Sequence, residues 1–195
     1  MNLPNKLTML RIILVVPLML LLLPLGNGPW AEFVVSDTGR ILATIVFVLA
    51  ALTDFVDGRI ARSRGLITNF GKLMDSLADK LLVLSTFIAL TYLGRVHAII
   101  VVVILARELL VTGIRQIAAA QGTVIAAGQF GKWKAACQML TLVYLLVEPL
   151  FFAAAPGERV VSSLFGNILL ALTIVLTVLS GLDYVLKHKD LFSDK

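Results

Sequence analysis

The sequence predicts an all-α integral membrane protein of six transmembrane helices, preceded by a short N-terminal interfacial segment, with both termini in the cytoplasm. Three observations lead there. Hydrophobic residues make up 59% of the 195 and charged residues 15%, whereas a soluble domain carries about a quarter charged residues. The apolar residues gather into six runs, approximately 7–25, 40–60, 72–93, 97–120, 133–154 and 161–186. Each run is long enough, as a helix, to cross roughly 30 Å of hydrocarbon. The basic residues fall mostly on one side of these runs: Lys6, Arg11, Arg59, Arg62, Arg64, Lys72, Arg115, Lys132, Lys134, Lys187, Lys189 and Lys195, against Arg40, Arg95 and Arg159 on the other. Positive residues stay inside, so the first set marks the cytoplasm.

In chain order, the first eight residues, Met1 to Thr8, are amphiphilic and read as a segment lying along the interface before the first span turns in, with a frayed terminus as the other reading. Lys6 and Arg11 followed by an apolar run resemble a signal peptide. The run ends at Leu25-Gly26-Asn27-Gly28-Pro29 without a small-x-small cleavage site, so it is read as a retained span. A connection over 26–39 leads to the second span. A short link over 62–71 makes an antiparallel hairpin of the second and third. Two further connections, 94–95 and 155–160, lie on the side poor in basic residues. No ten-residue segments of alternating hydrophobicity appear, which excludes a barrel. There is no low-complexity stretch or internal repeat, and the whole chain, 1–195, reads as one membrane domain.

The net charge of +5 is accounted for by topology, so no nucleic-acid partner is expected. The single cysteine, Cys137, sits in an apolar run, which excludes an intrachain disulfide framework and a multi-cysteine metal site.

Four of the twelve acidic residues fall within 26 positions: Asp54, Asp57, Asp75 and Asp79. Asp54 and Asp57 are three apart and Asp75 and Asp79 four apart, so each pair occupies one face of its helix. A hairpin would bring the pairs together. Four ionised carboxylates do not sit close without a counter-charge. Either Arg62, Lys72 and Lys80 supply it, or one or two hard divalent cations do, which take oxygen ligands and accept phosphate oxygens beside them. No histidine or cysteine lies in this stretch, so zinc is disfavoured and magnesium or manganese preferred. Gly58 follows Asp57 and Gly71 precedes Asp75 by one turn, and neither has a side chain to obstruct a bulky group. Acidic residues inside spans are costly and usually functional. Their place near the cytoplasmic ends of the spans suits a substrate with a phosphorylated head and tails in lipid. A transporter's coupling-ion site would sit nearer the midplane.

Asp54, Asp57, Gly58, Ala61, Arg62, Gly71, Asp75 and Asp79, at these spacings, resemble the signature of the CDP-alcohol phosphatidyltransferases. That family's fold of six transmembrane helices agrees with the six runs. Pro4, Asn5, Thr8 and Arg11 resemble the amino-terminal motif of the branch that makes phosphatidylglycerophosphate. Ala106-Arg107-Glu108-Leu109 through Arg115, with Gly131, Lys132, Lys134 and Gln138, resembles the same branch.

The resemblance implies transfer of the phosphatidyl group from CDP-diacylglycerol to sn-glycerol 3-phosphate at a bacterial inner membrane, by a homodimer whose active site faces the cytoplasm. It implies that Asp54, Asp57, Asp75 and Asp79 ligate two Mg²⁺ or Mn²⁺ ions and that Asp79 is also the general base. Asn5, Thr8, Gly58, Arg62, Thr68 and Gly71 are the candidates for holding the CDP-lipid, with helix capping as the other reading of Thr68. For the acceptor phosphate the candidates are Arg107, Arg115, Lys132 and Lys134. An arginine inside an apolar span faces the protein interior, although Glu108 beside Arg107 allows a purely structural ion pair. Arg115, Lys132 and Lys134 also fit the positive-inside pattern alone. Arg59 and Arg64 suit anionic membrane phospholipids. Glu148 and Asp183 read as interfacial or packing groups, and Gly113 and Gly181 as sites of close helix approach. The rival functions are the same chemistry on inositol phosphate, serine or phosphatidylglycerol, a small cation transporter, and a non-enzymatic membrane scaffold.

Overall fold

The computed structural model describes residues 3–64, 69–123, 125, 128–152 and 163–189. Over these the chain is all-helical: α1 (Leu3–Leu22), α2 (Pro29–Val35), α3 (Asp37–Arg64), α4 (Asn69–Tyr92), α5 (Ala98–Ala120), α6 (Gln129–Phe151) and α7 (Leu164–Lys187). Three of these, α1, α6 and α7, are long and apolar enough to cross a membrane, and the bent pair α2–α3 makes a fourth if it is one span. The reading of six spans counted α4 and α5 as well. Each is about 35 Å long at 1.5 Å per residue, but their apolar runs are broken by Lys72, Asp75, Asp79 and Lys80 in α4 and by Arg107, Glu108 and Arg115 in α5. The interfacial segment expected over the first eight residues is not a separate element. From Leu3 onward the chain is already in α1, and the candidate span begins at Asn5.

The chain divides into two compact units. The first comprises Met1–Val96 and Leu142–Val161, the second His97–Thr141 and Ser162–Lys195.

In the first unit α1 packs against both α3 and α4, and α2 packs on α3. Leu18, Ala43, Phe47, Ala50, Leu82, Phe87 and Leu90 form its buried interior, while Ile13, Val16, Ile45, Leu49 and Ile88 point outward. An outward apolar face is what lipid contact requires of a membrane helix. The connection expected over 26–39 contains α2, which Pro29 starts at a position where its missing N–H costs nothing. Ser36 then breaks the helix in extended conformation, and the axes turn by 67°. Its hydroxyl donates to the Phe33 carbonyl at 2.6 Å and accepts from the Gly39 N–H at 3.2 Å, so one side chain closes α2 and caps α3. The bend needs Gly39: a Cβ there would lie 2.2 Å from the Phe33 carbonyl oxygen.

At the other end of α4, Gly94 adopts φ 73°, with the Gly94 N–H on Thr91 O and the Arg95 N–H on Leu90 O. This is the Schellman stop, and it throws Arg95 off the helix end. Pro149 in α6 has no N–H, so the Leu145 carbonyl four residues earlier loses its helical donor. The Arg95 guanidinium fills that vacancy by donating to Leu145 O and pairs with the Glu148 carboxylate. Arg40 donates to the Pro149 carbonyl at 3.5 Å. Burial pushes the Arg95 pKa below its ordinary value, and the charge and hydrogen bond of Glu148 oppose that shift. Glu148, read from sequence as an interfacial or packing group, is only 1% exposed and is the counter-ion of a buried arginine.

In the second unit α5 packs along α7, with Val111, Ile114 and Tyr184 between them. α5 ends in a second Schellman stop at Gly122, φ 75°, with the Thr123 N–H on Ala118 O. Thr141 and Cys137 of α6 meet Thr173 of α7, hydroxyl to hydroxyl at 2.8 Å and sulfur to hydroxyl at 3.4 Å. Small polar contacts of this kind join helices where lipid removes the usual hydrophobic drive.

Because Arg95 and Glu148 are both buried, Glu148→Leu alone is expected to lower stability by about 3–5 kcal/mol, the cost of leaving a buried charge without its partner. Adding Arg95→Met should recover most of that loss. Thermal unfolding in detergent measures both variants, and a double variant as unstable as the sum of the singles would show that the two side chains are not coupled.

Candidate active site

The four aspartates stand on consecutive helices of the first unit. Asp54 and Asp57 lie in the last turns of α3, and Asp75 and Asp79 near the start of α4. The side chains of Asp54 and Asp57 lie outside the described residues, but the helix register places their backbones. Counting back from Arg64, the end of α3, Asp57 is about 10 Å and Asp54 about 15 Å along the axis. Counting forward from Asn69, the start of α4, Asp75 is about 9 Å and Asp79 about 15 Å along. The two acid pairs are therefore matched in distance from the four-residue link that joins the helices. Both α4 acids are exposed.

The first helix completes this region. Asn5, Thr8 and Arg11 follow one another at three-residue spacing on α1, and all three are buried, at 9%, 3% and 0% exposure. They share the face that α1 turns inward. Arg11 Nη1 donates to Asp75 Oδ1 at 3.3 Å, a fully buried guanidinium on a half-exposed carboxylate. The sequence offered Arg62, Lys72 and Lys80 as counter-charges. Lys80 donates instead to the Ser76 hydroxyl at 3.0 Å, and the side chains of Arg62 and Lys72 lie outside the described residues. Gly58 and Arg62 fall in the last turns of α3, Gly71 is half-buried in α4, and Thr68 lies outside the described residues. The signal for Arg11 was present in the sequence, as a lone arginine at the mouth of an apolar run in register with Asn5 and Thr8. Only packing reveals which acid it meets.

The donor chemistry of 54–79 fits a hard divalent cation. Its four carboxylates are accompanied by no histidine or cysteine.

The second unit holds a separate cluster. Arg107 Nη1 donates to Glu108 at 3.0 Å and its Nε to the Ser180 hydroxyl at 2.9 Å. Lys134 of α6 donates to the same Glu108 oxygen. All three charged groups are largely withdrawn from the surface, at 12%, 15% and 7% side-chain exposure. Gly181 makes room for Arg107: a Cβ there would lie 3.2 Å from Arg107 Cγ, closer than most Cβ contacts, whereas one at Gly131 would lie at an ordinary 3.6 Å from Arg107 Nη2. Gly113, also expected to serve close packing, would place a Cβ with nothing within 4 Å among the described residues.

Of the four basic residues proposed from sequence, Arg107 and Lys134 thus come together around Glu108. Arg115 stands two turns further along α5, donating to the Tyr184 hydroxyl at 3.1 Å with its guanidinium 5.5 Å from that ring's centre. Lys132 is exposed. Asp183, given no role from sequence, pairs with Lys187 at 2.8 Å.

Comparison with known proteins identifies the class. The model of the CDP-alcohol phosphatidyltransferase family matches residues 1–179, and the chain belongs to that family. The resemblance carried by the aspartate run is borne out, and with it the reading of this chain as an enzyme. Among curated relatives, the CDP-diacylglycerol–glycerol-3-phosphate 3-phosphatidyltransferase of Bacillus subtilis is 38% identical over 191 residues, covering 96% of this chain and 95% of that one. The Rickettsia typhi protein of the same name is 36% identical over 192 residues, covering 98% of this chain and 99% of its own. A probable phosphatidylglycerophosphate synthase of Mycobacterium tuberculosis is 38% identical over 184 residues, 94% of this chain and 80% of that one.

The two glycines make opposite predictions. Gly113→Ala is expected to leave activity intact and to stabilise the protein by up to about 1 kcal/mol, since it meets nothing and favours the helix. Gly181→Leu should displace Arg107 and raise the Michaelis constant for the acceptor at least tenfold. Steady-state kinetics with each substrate varied in turn checks both.

Proposed function

We propose that this chain transfers the phosphatidyl group of CDP-diacylglycerol to sn-glycerol 3-phosphate, giving phosphatidylglycerophosphate and CMP. The observation that carries the reading is agreement along almost the whole chain with relatives named for that reaction.

Asp54, Asp57, Asp75 and Asp79 would hold one or two Mg²⁺ or Mn²⁺ ions, which when bound neutralise the pyrophosphate and stabilise the departing oxygen. Arg11 fixes the orientation of Asp75 through their ion pair. Asp79 takes the proton from the acceptor hydroxyl. The acceptor oxygen then forms its bond to the phosphorus bearing diacylglycerol, the bond from that phosphorus to the CMP oxygen breaks, and CMP leaves with the electron pair. Asn5 and Thr8 on α1, with Gly58, Arg62, Thr68 and Gly71, hold the CDP-lipid. Arg107 and Lys134 hold the acceptor phosphate, with Arg115 and Lys132 at its approach. Most of the rate enhancement then comes from placement and charge stabilisation.

In this reading α1, the bent pair α2–α3, α4, α5, α6 and α7 are six spans. Both termini and the active site face the cytoplasm of a bacterial inner membrane, and the enzyme works as a homodimer. The length of α4 and α5 and the lysine and arginine distribution support this arrangement.

Purified protein offered a panel of labelled acceptors is expected to turn over glycerol 3-phosphate and to ignore inositol phosphate, serine and phosphatidylglycerol. Turnover of another alcohol in its place would overturn the assignment. Asp79→Asn should lower the rate by about three orders of magnitude or more while the protein stays folded. Chelation should abolish activity, and Mg²⁺ or Mn²⁺ should restore it. Activity that survives both treatments would remove the metal and the base from the mechanism.

A further inference from the structure

Gln138 is the polar residue in the second unit whose burial the mechanism leaves unexplained. It is 3% exposed, and its side-chain nitrogen has no hydrogen-bond partner among the described residues. Leaving such a donor unmet is costly, and buried polar groups in folded proteins are almost always satisfied.

Its position suggests what meets it. Gln138 is four residues beyond Lys134 on α6, so the two side chains share a face about 6 Å apart along the axis. Lys134 joins Arg107 on Glu108. On the proposed function, these two cations, held together on one carboxylate, take the acceptor phosphate. An uncharged amide donor one turn deeper suits a neutral oxygen a few bonds from that phosphate. On the reading of glycerol 3-phosphate as acceptor, its phosphate is held by the cations and its terminal hydroxyl must remain available to react. The oxygen left for Gln138 is the middle hydroxyl.

We propose that Gln138 is a specificity-determining residue, whose amide donates to the non-reacting hydroxyl of a three-carbon polyol phosphate anchored at Arg107 and Lys134. A site built to hydrogen-bond a hydroxyl rejects the analogue without it far more strongly than an apolar site would.

The test compares glycerol 3-phosphate with 1,3-propanediol monophosphate, which lacks only the middle hydroxyl, using full-length protein in mixed micelles. Wild-type protein should favour glycerol 3-phosphate in kcat/KM by about tenfold or more. Gln138→Met, of similar length and without the donor, and Gln138→Glu, which keeps an acceptor only, should each collapse that preference to within about threefold, by losing rate on glycerol 3-phosphate and not on the analogue, with the Michaelis constant for CDP-diacylglycerol unmoved. A wild-type enzyme that does not discriminate between the two overturns the proposal whether or not either variant folds. So does a variant that keeps the preference, the result expected if the amide serves only a structural water, and so does one that loses both activities equally. If wild-type protein turns over neither compound, the acceptor assignment itself has failed, a result distinct from these.

Discussion

A buried ionised side chain is tolerated only where a partner stands within reach, and that constraint organises both units of this protein. Arg11, fully buried, reaches Asp75 on a helix 64 positions away in sequence. Arg95 meets Glu148, and Arg107 and Lys134 meet Glu108. These pairs tie α1 to α4, the end of α4 to α6, and α5 to α6. Broken pairs of this kind cost more than intact ones contribute, so each contact specifies which helices meet more than it adds stability. Between them lies ordinary apolar packing, which in lipid has little preference for one helix over another.

Helix ends matter as much as helix faces. The turn at Gly94 sets the direction in which Arg95 leaves α4, and Pro149 removes the N–H that would have occupied the Leu145 carbonyl. A glycine with positive φ in one helix and a proline in another thus create a donor and an acceptor for each other. The Ser36 cap and the absence of a side chain at Gly39 work in the same way, turning the chain through 67° between α2 and α3.

What could be read in the sequence follows from this. The helical class was legible because apolar runs and the placement of lysine and arginine report directly on a membrane. The spacing of Asp54, Asp57, Asp75 and Asp79 was legible because helix periodicity is local: three or four residues always return to one face. Partners were not legible. Nothing near Glu148 in sequence indicates Arg95, and nothing near Asp75 indicates Arg11, since both contacts arise from tertiary packing of distant segments. The helix α2 was hidden within an expected connection because seven residues give too little periodicity to see. Gly113 and Gly181 looked alike in sequence and differ only in whether a neighbour crosses above them.

The Arg107 cluster is held by several contacts at once. Its three nitrogens have different surroundings. Nε is engaged by Ser180 and Nη1 by Glu108, while Nη2 lies on the side of Gly131. Two protein bonds fix the plane of the guanidinium. On the proposed reading, Glu108 orients the arginine and does not compete with the acceptor phosphate for its third nitrogen. It also pairs with Lys134. The structural ion pair read from the sequence is present, and it is compatible with the proposed binding role, since it holds the guanidinium in one orientation and a planar fork recognises phosphate best when its plane is fixed.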